Sequence, residues 1–367
     1  MPQGVGSTDT VGKYKPLWLR VFRAAFWFAS VRRRGFHQNT KQMADSASIS
    51  AAGLAARNSA GHTRIHTAAR YGELRGLPPE ALRAEYLTIK NDAGYTPLHH
   101  AAIGGHLDQV PQAMLTAENL SIRSNAGYSV FHTAAAHGNL GQIPRELLTP
   151  AVLLNGNDLG NTLLHEAAEH GSIDRIPPEY LTAANLSRRN VSGETVLHVA
   201  AFNGHLDQVP AALLTSDALR EQTNAGDTVF HAAAISGHLE QVPPGLLVFE
   251  NLSVPSKTGF TAAHAAAETG QLSKIPRDSL TGQLLMTRND NGDTPLHAAA
   301  FEGHLDQVPA ALLTPERLSA RNYDGITVLS LATRRGFAMQ IPEAVRPKAR
   351  GPVARLLRKL GGTRAPF

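Results

Sequence analysis

The chain has 367 residues, enough for two or three compact domains of ~100–200 residues each; 42% are hydrophobic and 18% charged, which sets aside collagen-like, wholly disordered and membrane-embedded classes. It contains no cysteine, so disulfides, thiolate zinc sites, iron–sulfur clusters and cysteine nucleophiles are excluded. The net charge of +5 is unevenly spread: residues 1–58 carry 9 Lys/Arg against 2 Asp/Glu, residues 344–367 carry 7 against none, and the body between them is acidic. Basic ends on an acidic body disfavour nucleic acid as the partner of the whole protein.

The first segment, 1–58, reads as a basic arm, either disordered or an amphipathic helix. Within it, residues 14–34 hold both tryptophans, Trp18 and Trp27, with Phe22, Phe26 and Phe28, broken by Arg20 and Arg23 and closed by Arg32-Arg33-Arg34. Such a stretch is too short and too charged to span a bilayer. Its arginines also interrupt any signal-peptide core. Two readings stand side by side: an amphipathic helix lying on an anionic membrane surface, or translation from Met43 without the arm. Without a recognisable export signal the expected location is cytoplasmic, with secretion by another route left open.

From Gly61 onward a glycine recurs every 33 residues, at Gly94, Gly127, Gly160, Gly193, Gly226, Gly259, Gly292 and Gly325. Five residues after each stands a histidine: His66, His99, His132, His165, His198, His231, His264 and His297, with Ser330 in the ninth unit. A second glycine column runs from Gly72 to Gly336. Each unit reads as one supersecondary element. In Thr96-Pro97-Leu98-His99 the threonine caps a helix and proline occupies its first position. The Ala101-Ala102 pair lets neighbouring helices approach, and Gly105 ends the helix. Leu107, Val110 and Leu120 offer an apolar face that stacked copies can bury.

These residues resemble the ankyrin repeat. Residues 94–102 and 292–300 follow its G-x-T-P-L-H-x-A-A signature, and Gly-His-Leu-Asp-Gln-Val at 303–308 is similar to its G-H-L-E-V-V. The resemblance covers 59–343. It implies an all-α solenoid of about nine 33-residue helix-turn-helix units with short loops, followed by a basic tail at 344–367. One departure is systematic, because Pro78, Pro111, Pro144, Pro177, Pro210, Pro243, Pro276, Pro309 and Pro342 fall where the family has its second helix. Proline inside a helix costs ~3 kcal/mol, so the second helix is expected to be broken and to restart at the proline. Thr116, Thr149, Thr182, Thr215, Thr281 and Thr314 then read as caps of one further turn. A leucine-rich-repeat reading of Leu-x-x-Val-Pro-x-x-Leu-Leu leaves the His-x-Ala-Ala segment unexplained.

Eight histidines at one register are read as structural, each imidazole bonding backbone in the adjoining loop. The segment His165-Glu-Ala-Ala-Glu-His170 falls short of a zincin helix, since its histidines are five apart. Gly6 to Lys13 misses P-loop spacing, and no Gly-x-Ser-x-Gly elbow is present. Asp108, Asp207, Glu240 and Asp306 recur with the repeat and read as first-turn acids. The chain is therefore expected to be non-enzymatic, with no cofactor and no metal; a hydrolase or transferase activity has no residue constellation behind it.

In ankyrin proteins partner contacts come from loop tips and the exposed end of the inner helix. Carried over, the resemblance places His62, Tyr95, Tyr128, Asn161, Glu194, Asp227, Phe260, Asp293 and Ile326 at loop tips. It places Arg70, Ile103, Ala136, Glu169, Phe202, Ile235, Glu268, Phe301 and Arg334 at helix ends. Tyr71, Tyr95, Ile103, Tyr128, Phe202, Ile235, Phe260 and Phe301 are the candidate anchors, because binding surfaces are enriched in aromatic side chains. The framework hardly varies: residues 203–215 and 302–314 differ only at the first position. The functional expectation is a monomeric scaffold that binds an unidentified protein on its concave face and loop tips. Neutral drift at exposed positions is the plain alternative, and a tether acting on membrane or nucleic acid through the basic ends is the functional rival.

Overall fold

The computed structural model describes residues 51–346. The expectations for residues 14–34, the Met43 start and most of the basic tail lie outside them. Nine helices, one per unit, form the inner row: α1 (Arg64–Tyr71), α2 (Pro97–Gly104), α3 (Val130–Ala135), α4 (Leu163–His170), α5 (Val196–Asn203), α6 (Val229–Ser236), α7 (Ala262–Glu268), α8 (Pro295–Glu302) and α9 (Val328–Arg335). Each begins at a Thr or Ser in extended geometry whose side chain caps the third helical amide, while the third side chain, histidine in eight units, returns to the cap amide. This is a capping box with imidazole in the usual place of Glu or Gln. At the far end Gly105 closes α2 with φ +76°, a left-handed conformation that side-chain-bearing residues resist.

Consecutive inner helices pack directly on one another from α1 to α9. The alanine pairs make that possible; Ala101, Ala102, Ala200 and Ala201 are wholly buried. Behind them, columns of larger side chains repeat every 33 residues. Leu107, Leu140, Ile173, Leu206, Leu239, Leu272 and Leu305 form one, and Leu54, Leu87, Leu120, Leu153, Leu186, Leu219, Leu252, Leu285 and Leu318 another, each residue at most 2% exposed. Burying one such side chain is worth about 1.5–3 kcal/mol, so the columns hold the stack together. Leu54 belongs to a helical turn at Ala51–Ala55. The array therefore takes in residues 51–58, which the sequence reading assigned to the arm. Leu54 fills the same column as Leu87, one repeat length earlier.

The second layer contains no long helix among the described residues. After Gly105 come a 3-10 turn at Leu107–Gln109, extended Val110, and Pro111 at φ −54°, ψ 133°. A second 3-10 turn follows at Gln112–Met114, then Thr116 caps a single α-turn at Ala117–Leu120. The restart at proline thus takes the form of a 3-10 turn. Proline lacks the amide a helix would need and pushes Val110 to extended geometry. Thr116, Thr182, Thr215, Thr281 and Thr314 accept a capping bond, whereas Thr149 does not. In the seventh unit the α-turn is replaced by a 3-10 turn at Leu284–Met286.

Candidate functional site

Three kinds of hydrogen-bonded rung join neighbouring units and fix where the exposed residues stand. The first is the histidine column. In α6, Nδ1 of His231 accepts from the Thr228 amide at 3.0 Å and meets Thr228 Oγ1 at 2.8 Å. Its Nε2 donates to the Phe260 carbonyl of the following loop at 3.0 Å. Nδ1 must be unprotonated to accept an amide, which fixes the tautomer. His66, His99, His165, His198, His264 and His297 bond the carbonyl 29 residues on in the same way. His132 reaches Asn155 instead, in the differently shaped fourth loop. Burial holds the His231 imidazole down at about 4, against the smaller opposing pull of the Phe260 carbonyl. His66, His99, His132, His165, His198 and His264 are held at about 4 for the same reason. Both nitrogens of each column histidine are engaged, so none is free to bind a metal or act as a base.

The second rung lies at the other end of the inner helices, and the sequence reading missed it. Gln241 accepts from the Leu206 amide at 3.0 Å and donates to the Gly204 carbonyl at 2.7 Å, closing the C-terminus of the preceding helix. Gln142, Gln208 and Gln340 repeat the arrangement. Their signal was present as the glutamine of Gly-His-Leu-Asp-Gln-Val, but its partners are 35 and 37 residues away. The third rung runs beneath the loops, where Arg57, Arg123, Arg189 and Arg288 donate to the carbonyl 33 residues on, Arg189 reaching Gln222 at 2.6 Å.

The loops correct the assignment of tip residues. The turn runs from Asn91 to Gly94, the Gly94 amide bonding the Asn91 carbonyl, so its apex is Asp92-Ala93. The apices Asn125-Ala126, Asp158-Leu159, Val191-Ser192, Asn224-Ala225, Lys257-Thr258, Asp290-Asn291 and Tyr323-Asp324 are likewise exposed. Residues following the glycine turn inward. Tyr95 and Tyr128 are half-buried, their rings edge-on to His99 and His132 at 5.2 and 6.3 Å. Phe260 is buried against His264 with ring centroids 5.2 Å apart, and so belongs to the frame. The resemblance placed it at a loop tip, but the glycine before it closes the turn. Neighbouring apices are zipped by backbone bonds, as from the Asn224 amide to the Ser192 carbonyl at 3.0 Å. The most exposed large apolar side chains include Tyr323, Val191, Leu159 and Tyr71.

At the inner-helix ends, Ile103, Phe202, Ile235 and Phe301 are half-buried, in one register. Phe202 and Ile235 sit in adjacent units, and the Arg335 guanidinium lies 4.1 Å over the Phe301 ring. Carboxyls stand at this register in Glu268, in the loop before α6 in Asp227, and in the turn after α2 in Asp108. Burial raises Asp227 to about 6, and burial with the charge of Glu302 raises Glu268 to about 7. Asp108 forms an exposed ion pair with Arg75 at 3.0 Å.

Similar helical units joined by translationally repeated bonds define a repeat array, with a shared frame and exposed positions that differ from unit to unit. A family model of three ankyrin repeats matches residues 131–219, and a single ankyrin repeat model matches residues 291–316. Residues 131–219 and 291–316 therefore carry ankyrin repeats. No curated protein matches it. Ankyrin repeats are generally protein–protein interaction modules, and proteins built from them are typically non-enzymatic scaffolds. Among the described residues no helix is long and apolar enough to cross a membrane.

Proposed function

We propose that this chain is a binding scaffold that captures a protein partner across the exposed ends of the inner helices and the loop apices. The supporting observation is the separation of roles. The rungs and leucine columns recur unit after unit, whereas Ile103, Phe202, Ile235 and Phe301 alternate with Glu169, Glu268, Arg70 and Arg334 at one exposed register. A surface held by bonds already made pays little ordering cost on association. The apices from Asp158 to Asn224 add a second row of varied side chains beside the first.

The test is a paired substitution in the full chain. Changing Phe202→Lys together with Ile235→Lys removes two adjacent half-buried apolar groups that no column requires. Truncating an interface anchor commonly costs ~2 kcal/mol or more, so the variant is expected to lose its captured partners in quantitative affinity isolation while melting like the parent. Leu206→Lys with Val209→Lys, at 0% and 5% exposure, is expected to unfold the array instead. A folded Phe202/Ile235 variant that keeps every partner would move the binding face elsewhere.

A further inference from the structure

The fourth unit departs from its neighbours at Glu166, and there it meets a glutamate and a histidine on the same helix; the histidine position is shared with His137 one unit earlier. Where the other units carry Thr67, His100, Thr133, Val199, Ala232, Ala265, Ala298 or Leu331, it has Glu166, and Glu169 and His170 follow at the third and fourth places along α4. Residues so spaced share one helical face. One ligand atom from each of the three lies within 4.8 Å of the others. None of the ion pairs among the described residues involves Glu166 or Glu169. No Lys or Arg forms an ion pair with either carboxyl, and His170 is the base that stands beside them.

The surroundings are arranged as for a ligand set. Glu166 is 1% exposed, and Asn157 and Asn161 both donate to its Oε1, at 3.0 and 3.3 Å, which leaves Oε2 as the atom a cation could take. Asn161 in turn accepts from Asn190, which also donates to Glu194 at 2.8 Å, so the support extends into the next loop and adds a further carboxylate nearby. His170 donates its Nδ1 proton to the Glu166 carbonyl at 3.1 Å. That bond fixes the tautomer and leaves the Nε2 lone pair outward, the arrangement typical of metal-binding histidines, whose second nitrogen donates to a carbonyl or carboxylate. His165, the other histidine of the segment, spends both nitrogens on Thr162 and the Glu194 carbonyl and takes no part.

We propose that Glu166, Glu169 and His170 form a binding site for one first-row divalent cation along one face of α4, running from buried Glu166 to exposed His170. Mixed oxygen and imidazole donors select Mn²⁺ or Zn²⁺ over Ca²⁺ and Mg²⁺, which favour all-oxygen shells. Three ligands from one helix leave the remaining coordination positions to water.

The experiment uses the full chain after chelator treatment. Mn²⁺ binding is read from loss of the free aqueous Mn²⁺ resonance, and Zn²⁺ binding by calorimetry. The expected result is one saturable site, weakened roughly tenfold or more by Glu169→Gln and by His170→Ala. Glu169 is half-buried and His170 exposed, so both variants are expected to keep the parent's melting temperature in chelator. Glu166→Gln, which retains an acceptor for the two asparagines, is expected to abolish the site. Failure of the parent to bind either ion saturably overturns the proposal, and so does binding that survives Glu169→Gln and His170→Ala.

Discussion

Replacing His231 by Leu isolates what one histidine rung contributes. The substitution keeps an apolar volume in a site that is wholly buried, but removes the acceptor for the Thr228 amide and the donor to the Phe260 carbonyl. Thr228 is 0% exposed and Phe260 9%, so water replaces neither bond. Each buried backbone group left without a partner costs about 1–3 kcal/mol. Some of that is offset by the easier burial of leucine, which leaves an expected loss of about 3 kcal/mol by the same arithmetic. The comparison is Ser330→Ala in the ninth unit, where Ser330 bonds only Thr327 and spans no interface; about 1 kcal/mol is expected there. Urea unfolding followed by circular dichroism reads both. Should His231→Leu cost no more than Ser330→Ala, the imidazole would be a local cap, and the bond between units would carry no weight.

Acid is expected to destabilise the array. Seven column histidines fall from the ordinary 6.5 to about 4 in the folded chain, so the unfolded chain takes up protons first; their stabilisation is complete above about pH 6.5 and drains away as the pH falls toward 4. At about pH 5.5 each costs roughly 1.4 kcal/mol, against which the raised carboxyls of Glu166, Asp227 and Glu268 act in the opposite sense but are outnumbered. A melting temperature at about pH 5.5 equal to or above that at about pH 7.5 would contradict this. Pro210→Ala is expected to lower stability by about 0.4–1 kcal/mol, because Pro210 already sits at φ −52° with an exposed ring and its main effect is to restrict the unfolded chain; a loss above about 2 kcal/mol in the same urea titration would assign it a packing role.

The repeat length, the capped inner helices and the interruption at each proline were legible because they depend on bonds within one unit. Thr96, His99 and Gly105 state their own local geometry, and Pro111 forbids a helix whatever surrounds it. What was illegible depends on the neighbouring unit. Gln241 reads as an ordinary polar residue until Gly204 is placed beside it. The apex was misread by two residues because a glycine with positive φ can open or close a turn; at Gly94, φ +79°, an added Cβ would meet the Asn125 amide at 2.6 Å, a contact that only stacking creates. Phe260 and Tyr95 looked alike as aromatics after a glycine, yet only Phe260 is buried. The Glu166 cluster was hidden because its spacing was judged on His165 and His170, and His165 belongs to the frame.

The uninterrupted 33-residue step has a consequence for how such a chain can change length. Every rung joins residue positions, not particular residues, so a segment of 33 residues could be excised or duplicated and the flanking units would still meet with matching donors and acceptors. Residues 203–215 and 302–314, alike but for one position, lie 99 residues apart. Unequal exchange between their coding segments would delete or add three whole units and leave no seam. The same interchangeability is a hazard during folding, since α5 offers α9 nearly the surface that α8 does. Only the singular positions, such as Glu166, then distinguish one unit's address from another's.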